Sequence, residues 1–340
     1  MKNARIRVLV IDDSLLFREI IARGLETDPQ IEVVGKAADA FEAKDMILAT
    51  KPNVVTCDIE MPKMNGIEFI RRLMPMYPVP VIAVSGLSNT VFDALSAGAV
   101  DFVLKPDERS PQSVSTVIGE VIEKVKIASQ AQVAPACVGT QACGAGGPCP
   151  SDRIIGIGAS TGGTEAIYRI LQELSPSVPG IVIVQHIPTV FSGLFAQRLN
   201  NQTHFRVKEA EDGDAVEPGS VLIAPGNRHM RVWKSGRKYK VELFDGPKQN
   251  GHCPSVDVLF QSMARHCGKN AIGVILTGMG RDGASGLLSM RSKGAITLGQ
   301  DESTSVVYGM PKIAWEIGAV QRQVPLPQMA KTIADCLRKI

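Results

Sequence analysis

Short apolar runs rich in valine and isoleucine alternate with amphipathic runs over the first 128 residues. Five of the apolar runs are strand-like, at residues 5–11, 31–34, 53–57, 79–84 and 99–103. The stretches between them, for example 15–26 and 41–49, carry apolar residues at helical spacing. Strands that alternate with helices across short loops are typical of a parallel, doubly wound sheet. The pattern therefore predicts a (βα)5 domain over residues 1–128.

The alternation stops in residues 129–151, where Gly, Pro and Ala occur without periodicity. This composition predicts a flexible linker. Cys137, Cys143 and Cys149 lie in it at even spacing. Because a zinc site needs four ligands, usually in closer pairs, chance composition is a better interpretation than a metal site.

Beyond the linker, the strand and helix patterns return over residues 152–340. The predicted strands are 154–157, 180–185, 221–224 and 271–276, and the predicted helices are 163–174 and 254–267. Residues 231–233 and 239–244 are predicted to form a hairpin appended to the sheet. The predicted fold class is therefore α/β, with two doubly wound domains, the second built on a parallel sheet.

Composition and charge narrow the class of protein. The 340 residues suffice for two domains, and an odd number of cysteines, seven, fits a reducing compartment. No apolar run reaches 18 residues and no signal-peptide pattern is present, so we expect a cytoplasmic protein without membrane insertion. Residues 1–128 hold 15 Lys and Arg against 18 Asp and Glu, a net −3, whereas residues 129–340 hold 22 against 16, a net +6. Neither half is basic enough to indicate nucleic-acid binding.

Acidic and polar side chains recur at the ends of the predicted strands in the first domain. Parallel strands bring their carboxyl ends to one edge of the sheet, where ligands bind. Three carboxylates at that edge repel one another unless a hard cation such as Mg²⁺ joins them, and a lysine and a hydroxyl opposite would bind an oxyanion. A solvated acidic loop is the alternative, which the recurrence at successive strand ends disfavours. The residues concerned are Asp12, Asp13, Asp58, Ser85 and Lys105.

Together with Phe102, three places before Lys105, these residues resemble the receiver domain of two-component response regulators over residues 5–125. The resemblance implies that Asp58 takes a phosphoryl group from a histidine kinase. It further implies that Ser85 and Phe102 form a conformational switch.

The same resemblance implies a Mg²⁺ site formed by Asp12, Asp13 and Asp58. Lys105 would contact the phosphate, and the peptide bond between Lys105 and Pro106 would be cis.

A glycine-rich corner follows the first predicted strand of the second half. The run Gly158-Ala-Ser160-Thr-Gly162 fits the G-x-S-x-G pattern of a strand-to-helix turn that carries a nucleophile. One alternative is a dinucleotide-binding turn, which requires an acidic residue about 20 positions later. The next strand ends instead in Gln185 and His186, which argues against that alternative. A second alternative is that the glycines only allow a tight turn. This interpretation is also weaker than that of a serine hydrolase.

A serine nucleophile needs a base and an orienting carboxylate, and both occur at strand ends. His186 ends the next strand, and Asp282 lies in a glycine-rich turn after 271–276. If the three strands are parallel neighbours, Ser160, His186 and Asp282 emerge at one edge of the sheet. The order Ser, His, Asp along the chain differs from that of α/β-hydrolases. This difference argues against the α/β-hydrolase fold, but not against catalysis by a Ser-His-Asp triad.

Four other histidines are weaker candidates for the base. His266 lies in a predicted helix and His204 just before a strand, where surface or hydrogen-bonded histidines are common. His229 and His252 lie in loops, and either one could line the substrate cleft.

Other assignments stay open in the same way. The run Gly278-Met279-Gly280 makes Met279 a candidate second donor to an oxyanion, with core packing an equal alternative. Asp257 and Asp301 are alternative orienting carboxylates, but neither lies in a glycine-rich strand-to-helix turn.

The catalytic motifs resemble those of the chemotaxis protein-glutamate methylesterase family, whose members are also protein-glutamine deamidases. The resemblance spans nearly the whole chain except the linker. The runs that carry it are Gly158-Ala-Ser-Thr-Gly-Gly, Gln185-His-Ile-Pro, Ala224-Pro-Gly-Asn-Arg-His-Met, Pro254-Ser-Val-Asp-Val-Leu-Phe and Ile275-Leu-Thr-Gly-Met-Gly-Arg-Asp-Gly-Ala.

This resemblance implies Ser160 as nucleophile, His186 as general base, Asp282 as its partner and Met279 as an oxyanion donor, with no cofactor for hydrolysis. The implied substrates are glutamate γ-methyl esters and glutamines of methyl-accepting chemotaxis receptors. Arg281 stands where the family pattern leads us to expect Asn.

Two rival functions remain at this stage. A response regulator whose second half only binds a partner, such as nucleic acid, would have no reason to present a serine on a glycine corner, and no helix-turn-helix spacing is present. An esterase of the same chemistry that acts outside chemotaxis is the other rival.

Overall fold

The structure is a computed structural model that describes residues 5–86, 90–106, 114–133, 152–236 and 238–338. The chain divides into two compact units, Met1–Cys137 and Val138–Ile340. Each unit is α/β and is built on a parallel sheet, which confirms the predicted fold class. Residues 134–151, which hold the three predicted linker cysteines, lie outside the described residues.

The first unit is a five-stranded parallel sheet with the strand order β2-β1-β3-β4-β5. Its strands are β1 Ile6–Ile11, β2 Ile31–Ala37, β3 Val54–Asp58, β4 Val81–Ser85 and β5 Asp101–Leu104. Its helices are α1 Leu15–Leu25, α2 Ala40–Thr50, α3 Gly66–Met76, α4 Val91–Ala97 and α5 Val114–Ala128. Polar side chains begin three of these helices by accepting bonds from free backbone N–H groups, namely Ser14, Asp39 and Asn65. All five predicted strands are present.

The second unit is a seven-stranded parallel sheet with the order β15-β14-β13-β6-β7-β10-β8. Its strands are β6 Ile154–Ala159, β7 Ile181–Gln185, β8 Arg206–Glu209, β10 Ser220–Ile223, β13 Ala271–Ile275, β14 Ile296–Gln300 and β15 Arg322–Val324. The four predicted strands are all present, and three of them, β6, β7 and β13, form the centre of the sheet. Their residues are fully or almost fully buried, as continuous apolar strands of a covered parallel sheet are.

The helices of this unit cover both the sheet and the hairpin region. They are α6 Gly163–Glu173, α7 Thr189–Gln202, α8 Val256–His266, α9 Ala284–Ser292, α10 Met310–Glu316 and α11 Leu326–Arg338. Val256, Phe260 and Met263 of α8 are fully buried in the hydrophobic core of the unit. Within the described residues, no helix is long and apolar enough to cross a membrane.

The predicted hairpin exists, but its placement on the main sheet is wrong. Strands β11 His229–Ser235 and β12 Lys238–Phe244 pair antiparallel and join β9 Ala215–Val216 in a separate three-stranded sheet. Helix α8 packs against it, and Val232 N donates to Ser262 Oγ at 2.8 Å. The hairpin needs a second layer because its inward side chains Val232, Tyr239 and Val241 are buried.

The expected cis bond between Lys105 and Pro106 is also wrong. Both residues are described, yet the cis bond among the described residues is Cys253–Pro254. The trans form is the commoner one before proline, so the sequence position alone does not fix the isomer.

Candidate functional site

The predicted catalytic residues follow three neighbouring strands. Ser160 follows β6, His186 follows β7, and Asp282 lies between β13 and α9, and these strands are adjacent and parallel. The register pairs Ala159 with Gln185, so Ser160 and His186 stand side by side one residue further on. Neighbouring strands lie about 4.8 Å apart, and His186 N donates to Ala159 O at 3.1 Å. The fold therefore brings the serine and histidine backbones together.

The His186 imidazole is paired with the Asp282 carboxylate. His186 Nε2 lies 2.9 Å from Asp282 Oδ2. The other ring nitrogen, Nδ1, is buried and has no hydrogen-bond partner among the described residues. When Nε2–H donates to the carboxylate, Nδ1 carries the lone pair. In that tautomer Nδ1 is free to accept a proton.

Asp282 is one of the most heavily hydrogen-bonded groups of the described chain, although its side chain is almost completely buried. Two of its donors are backbone N–H groups in the first turn of α8, where the helix dipole favours an anion. The contacts other than His186 are Val256 N at 2.7 Å, Ser255 Oγ at 2.8 Å, Asn250 Nδ2 at 3.0 Å and Asp257 N at 3.2 Å.

These contacts keep Asp282 ionised. Burial alone would raise the pKa of Asp282, but the hydrogen bond and charge of His186 and the bonds from Asn250 and Ser255 hold this pKa well below its usual range. The carboxylate therefore stays an acceptor for His186 at any physiological pH.

The Ser160 hydroxyl makes no hydrogen bond to a described residue, and no bond joins it to His186. Its backbone is fixed on both sides, because Ser160 N donates to Thr277 O at 3.0 Å and Gly163 N donates to Ser160 O at 2.7 Å. Gly162 precedes α6 with φ +76°, a left-handed conformation that favours glycine. The serine thus stands just before α6, and its backbone lies next to that of His186.

The loop that carries Met279 lies directly over the serine. Gly278 N donates to Val307 O at 3.0 Å, and Gly278 O accepts from Met310 N at 2.8 Å. A Cβ at Gly278 would lie 2.6 Å from Ser160 Cβ, so only glycine fits there. The backbone N–H of Met279 has no partner in the described part of the chain, and its side chain is 36% exposed. Exposure excludes the core-packing interpretation of Met279.

The other histidines divide into three kinds. His204 and His266 are exposed. His229 is buried with both ring nitrogens engaged, Nδ1 by Ser255 N at 3.2 Å and Nε2 by Pro247 O at 3.0 Å, so it holds backbone and does not line a cleft. His252 stacks on His186 with ring centroids 3.7 Å apart.

The alternative carboxylates do not contact His186. Asp257 accepts from Gly286 N at 2.6 Å and from Asn250 Nδ2 at 2.8 Å. Asp301 accepts from Ser303 and Thr304 within its own turn.

Sequence reasoning missed several groups that shape this site. Gln185 is buried, and its Nε2 donates to Ser160 O at 2.8 Å and His186 O at 3.2 Å, which ties the two catalytic backbones together. Its polar side chain at the end of an apolar strand was a signal for this role. Asn250 bridges Asp257 and Asp282, and Ser255 both caps α8 and donates to Asp282; no local pattern signals either contact with Asp282.

The acidic residues of the first unit meet at the carboxyl edge of its sheet. Lys105 Nζ lies 2.8 Å from Asp12 Oδ2 and 2.6 Å from Asp58 Oδ2. Oxygen atoms of Asp12, Asp13 and Asp58 all lie within 4.8 Å of one another. Burial raises the pKa of Asp58 to about 6, although Lys105 acts in the opposite direction.

The donor set at this edge suits a hard divalent cation. Asp12 and Asp58 are almost fully buried, and burial raises the pKa of both carboxyls, so a cation bound at this edge would stabilise their ionised forms. Carboxylate oxygens are the ligands that Mg²⁺ prefers. The three residues therefore fit the predicted metal.

The predicted switch residues lie beside the acidic cluster. Ser85 is buried and its Oγ donates to Glu60 Oε1 at 2.6 Å, while Gly86 N donates to Glu60 Oε2 at 2.8 Å. Phe102 is buried in β5, with Lys124 Nζ 4.7 Å from its ring centroid. Glu60, which the sequence did not single out, thus engages the Ser85 hydroxyl.

Comparison with known proteins identifies both units. Residues 155–333 match the family model described as CheB methylesterase, and residues 8–112 match the response regulator receiver domain. The catalytic domain of CheB methylesterase from Thermotoga maritima, solved by crystallography, aligns with 35% identity and a TM-score of 0.53, covering 56% of this chain and 100% of that one.

Whole-chain relatives agree. The protein-glutamate methylesterase/protein-glutamine glutaminase 2 of Syntrophomonas wolfei is 51% identical, with 100% of both chains covered. The protein of that function from Salmonella typhimurium is 45% identical, with 96% of each chain covered. The chain belongs to the CheB methylesterase family, with a response regulator receiver domain at its N-terminal side.

Proposed function

We propose that this protein is a phosphorylation-activated serine hydrolase that demethylates glutamate γ-methyl esters, and deamidates glutamines, on methyl-accepting chemotaxis receptors. The observation that carries the proposal is the pair of His186 Nε2 and Asp282 Oδ2 at 2.9 Å, which leaves His186 Nδ1 without a partner among the described residues, on the strand next to the one that Ser160 follows. A protein that only binds nucleic acid would have no use for this arrangement. Receptor demethylation gives sensory adaptation.

In the first half-reaction, Ser160 Oγ attacks the ester carbonyl as its proton passes to His186 Nδ1. The C–O bond to the methoxy group then breaks, and the imidazolium returns the proton to release methanol. The acyl-enzyme on Ser160 holds the glutamate side chain as an ester.

In the second half-reaction, a water molecule takes the role of nucleophile and displaces Ser160 from the acyl carbon. His186 Nδ1 takes a proton from the water as its oxygen attacks the acyl carbon, and Ser160 leaves with that proton. Glutamate and free enzyme result. A glutamine side chain follows the same route with ammonia as the first leaving group, which makes protonated His186 more important in that step.

Negative charge that develops on the carbonyl oxygen needs donors fixed in advance. The Met279 backbone N–H has no partner among the described residues, and Ser160 lies at the start of α6, whose dipole favours an anion. We assign Met279 as an oxyanion donor through its backbone. No cofactor takes part in the hydrolysis as proposed.

The receiver unit supplies the control. Asp58 accepts a phosphoryl group from a chemotaxis histidine kinase, and Asp12, Asp13 and Asp58 would hold a Mg²⁺ ion, which would neutralise negative charge. Lys105 contacts the phosphate, and Ser85 and Phe102 form the switch. The receptor helices that carry the substrate groups and the kinase are cytoplasmic partners, so we place the protein in the cytoplasm without membrane insertion or nucleic-acid binding.

The Asp58→Asn variant tests this control. We expect no labelling by a small-molecule phosphodonor and no increase in methanol release from methylated receptor when the donor is added, because the amide is not a nucleophile. Wild type in the same assay should show both. Asp93→Asn, at an exposed position in helix α4, is the matched control and should behave as wild type. Undiminished labelling of Asp58→Asn would mean that another carboxylate accepts the phosphoryl group.

A further inference from the structure

The face of the catalytic imidazole is covered by a second histidine. The His252 ring lies parallel to the His186 ring, with centroids 3.7 Å apart and an angle of 9° between the planes. We propose that His252 is a positioning residue for the base, because its flat ring holds the plane in which His186 Nε2 meets Asp282. This inference rests on the proposed role of His186.

The loop that carries His252 is built to hold it still. Gln249 and His252 exchange two backbone hydrogen bonds of 2.9 Å. The two residues between them, Asn250 at φ +51° and Gly251 at φ +86°, both have the positive φ of a type I′ turn, for which Asn-Gly is the favoured pair. This small hairpin presents His252 on one arm and the Asn250 amide at its tip.

Three further bonds anchor the same loop to the rest of the unit. Pro247 O accepts from His229 Nε2 at 3.0 Å, Cys253 O accepts from Asn227 N at 3.2 Å, and Asn250 donates to Asp282 at 3.0 Å. The position of His252 is therefore set by backbone contacts on both sides of it. A ring held in this way can constrain its neighbour.

His186 needs such a constraint because a single hydrogen bond holds its ring. Nε2 contacts Asp282, whereas Nδ1 has no partner within the described chain. Rotation about the Cβ–Cγ bond would swing the ring edges out of plane and away from Asp282. With a parallel ring 3.7 Å away, that motion meets His252 on one side. A displacement of about 1 Å in a catalytic group can cost about 10²-fold in rate.

His252 is suited to this role because it is uncharged at neutral pH. Burial lowers its pKa to about 4, and the charges of Lys248 and of His186 when it is protonated add to this effect, while Asp282 acts against it. A neutral ring places no repelling charge against the imidazolium that forms on His186 during the reaction. The carboxylate contacts His186 and not His252, so His252 is not the base.

Wild type and three variants of the full-length chain, all activated with phosphodonor, test the inference through methanol release from methylated receptor. His252→Leu removes the flat ring, and we expect kcat to fall about 10- to 100-fold with KM within about 2-fold of wild type. His252→Phe keeps a flat ring without nitrogen, and kcat should stay within about 3-fold of wild type. Thermal unfolding of each variant separates this loss from loss of folded protein. His204→Leu, at an exposed histidine, is the matched control.

Two outcomes would overturn the inference. If His252→Leu keeps wild-type kcat, the ring does not position the base, and if His252→Phe is as slow as His252→Leu, the nitrogens matter and stacking does not. His186→Ala in the same assay separates this failure from a failure of the proposed function. If His186→Ala stays active, His186 is not the base. If His186→Ala is inactive and His252→Leu has the wild-type rate, only the positioning role of His252 is dismissed.

Discussion

Ser160→Ala should reduce methanol release from methylated receptor by at least about 10³-fold while leaving the fold intact. Removing a single oxyanion donor already costs about 10²–10³ in serine hydrolases, and removing the nucleophile costs more, up to about 10⁶. The free energy of unfolding should change little, because the Ser160 hydroxyl has no hydrogen-bond partner among the described residues to leave unsatisfied.

Ser285→Ala is the matched control for this experiment. Ser285 is an exposed serine in the first turn of α9, close to Asp282 in the chain, and we expect it to release methanol at the wild-type rate. Rates should be measured with phosphodonor present, and unfolding of both variants followed by denaturant. Ser160→Ala that still released methanol at more than a tenth of the wild-type rate would exclude this serine as nucleophile.

Asp282→Asn should be the most damaging conservative change in the site. In a serine-protease triad, the same change lowers kcat by about 10⁴ because the histidine takes the wrong tautomer. In this site the NH₂ group of the new amide side chain would also point at groups that are themselves hydrogen-bond donors. Oδ1 accepts from three groups and Oδ2 accepts from Val256 N and His186, so either orientation of the amide opposes at least two donors. We expect a similar loss of kcat from methanol-release kinetics.

The same change should also destabilise the fold, by at least about 2 kcal/mol, since each buried unsatisfied group costs about 1–3 kcal/mol. Asp335→Asn, at a surface ion pair on α11, should cost less than about 1 kcal/mol and serves as control. Denaturant unfolding measures both. A stability equal to wild type in Asp282→Asn would show that the five contacts do not bind an anion.

The stability difference should depend on pH in a set direction. Because the folded-state pKa of Asp282 lies below its ordinary value of 3.8, the unfolded chain takes up this proton first as pH falls. The stability that the carboxylate contributes is therefore fully present above pH 3.8 and is lost below it. The gap between wild type and Asp282→Asn should be constant from neutral pH down to that value and should narrow below it.

The sequence predicted the parts of the site that strand ends determine. Apolar runs set the strands, and parallel neighbours bring their carboxyl ends to one edge, so His186 and the acidic cluster of the first unit followed from their position, and Ser160 from its position together with the G-x-S-x-G pattern. Asp282 could be predicted for the same reason, since it follows the third of these strands. The family motifs supplied the same residues independently.

The parts that sequence could not predict lie in contacts between distant segments. No local pattern shows that Asn250 bridges two carboxylates, that Ser255 donates to Asp282, or that His252 lies parallel to His186. The hairpin itself could be predicted because the pairing of two adjacent strands is visible in the sequence. The sheet that it joins is not visible there, so it was wrongly placed on the main sheet. Glu60 escaped notice because an exposed acidic loop residue has no distinguishing signal before its contacts with Ser85 and Gly86 are seen.

The most direct test of the central claim is to find the acyl group during turnover. The phosphodonor-activated chain is mixed with a receptor peptide that carries a glutamate γ-methyl ester, quenched with acid within the first turnover, and digested for mass spectrometry. The account predicts the receptor peptide attached through an ester to the fragment that contains Ser160, and no such fragment from Ser160→Ala. An adduct on another residue, or first-turnover methanol without any covalent adduct, would contradict it.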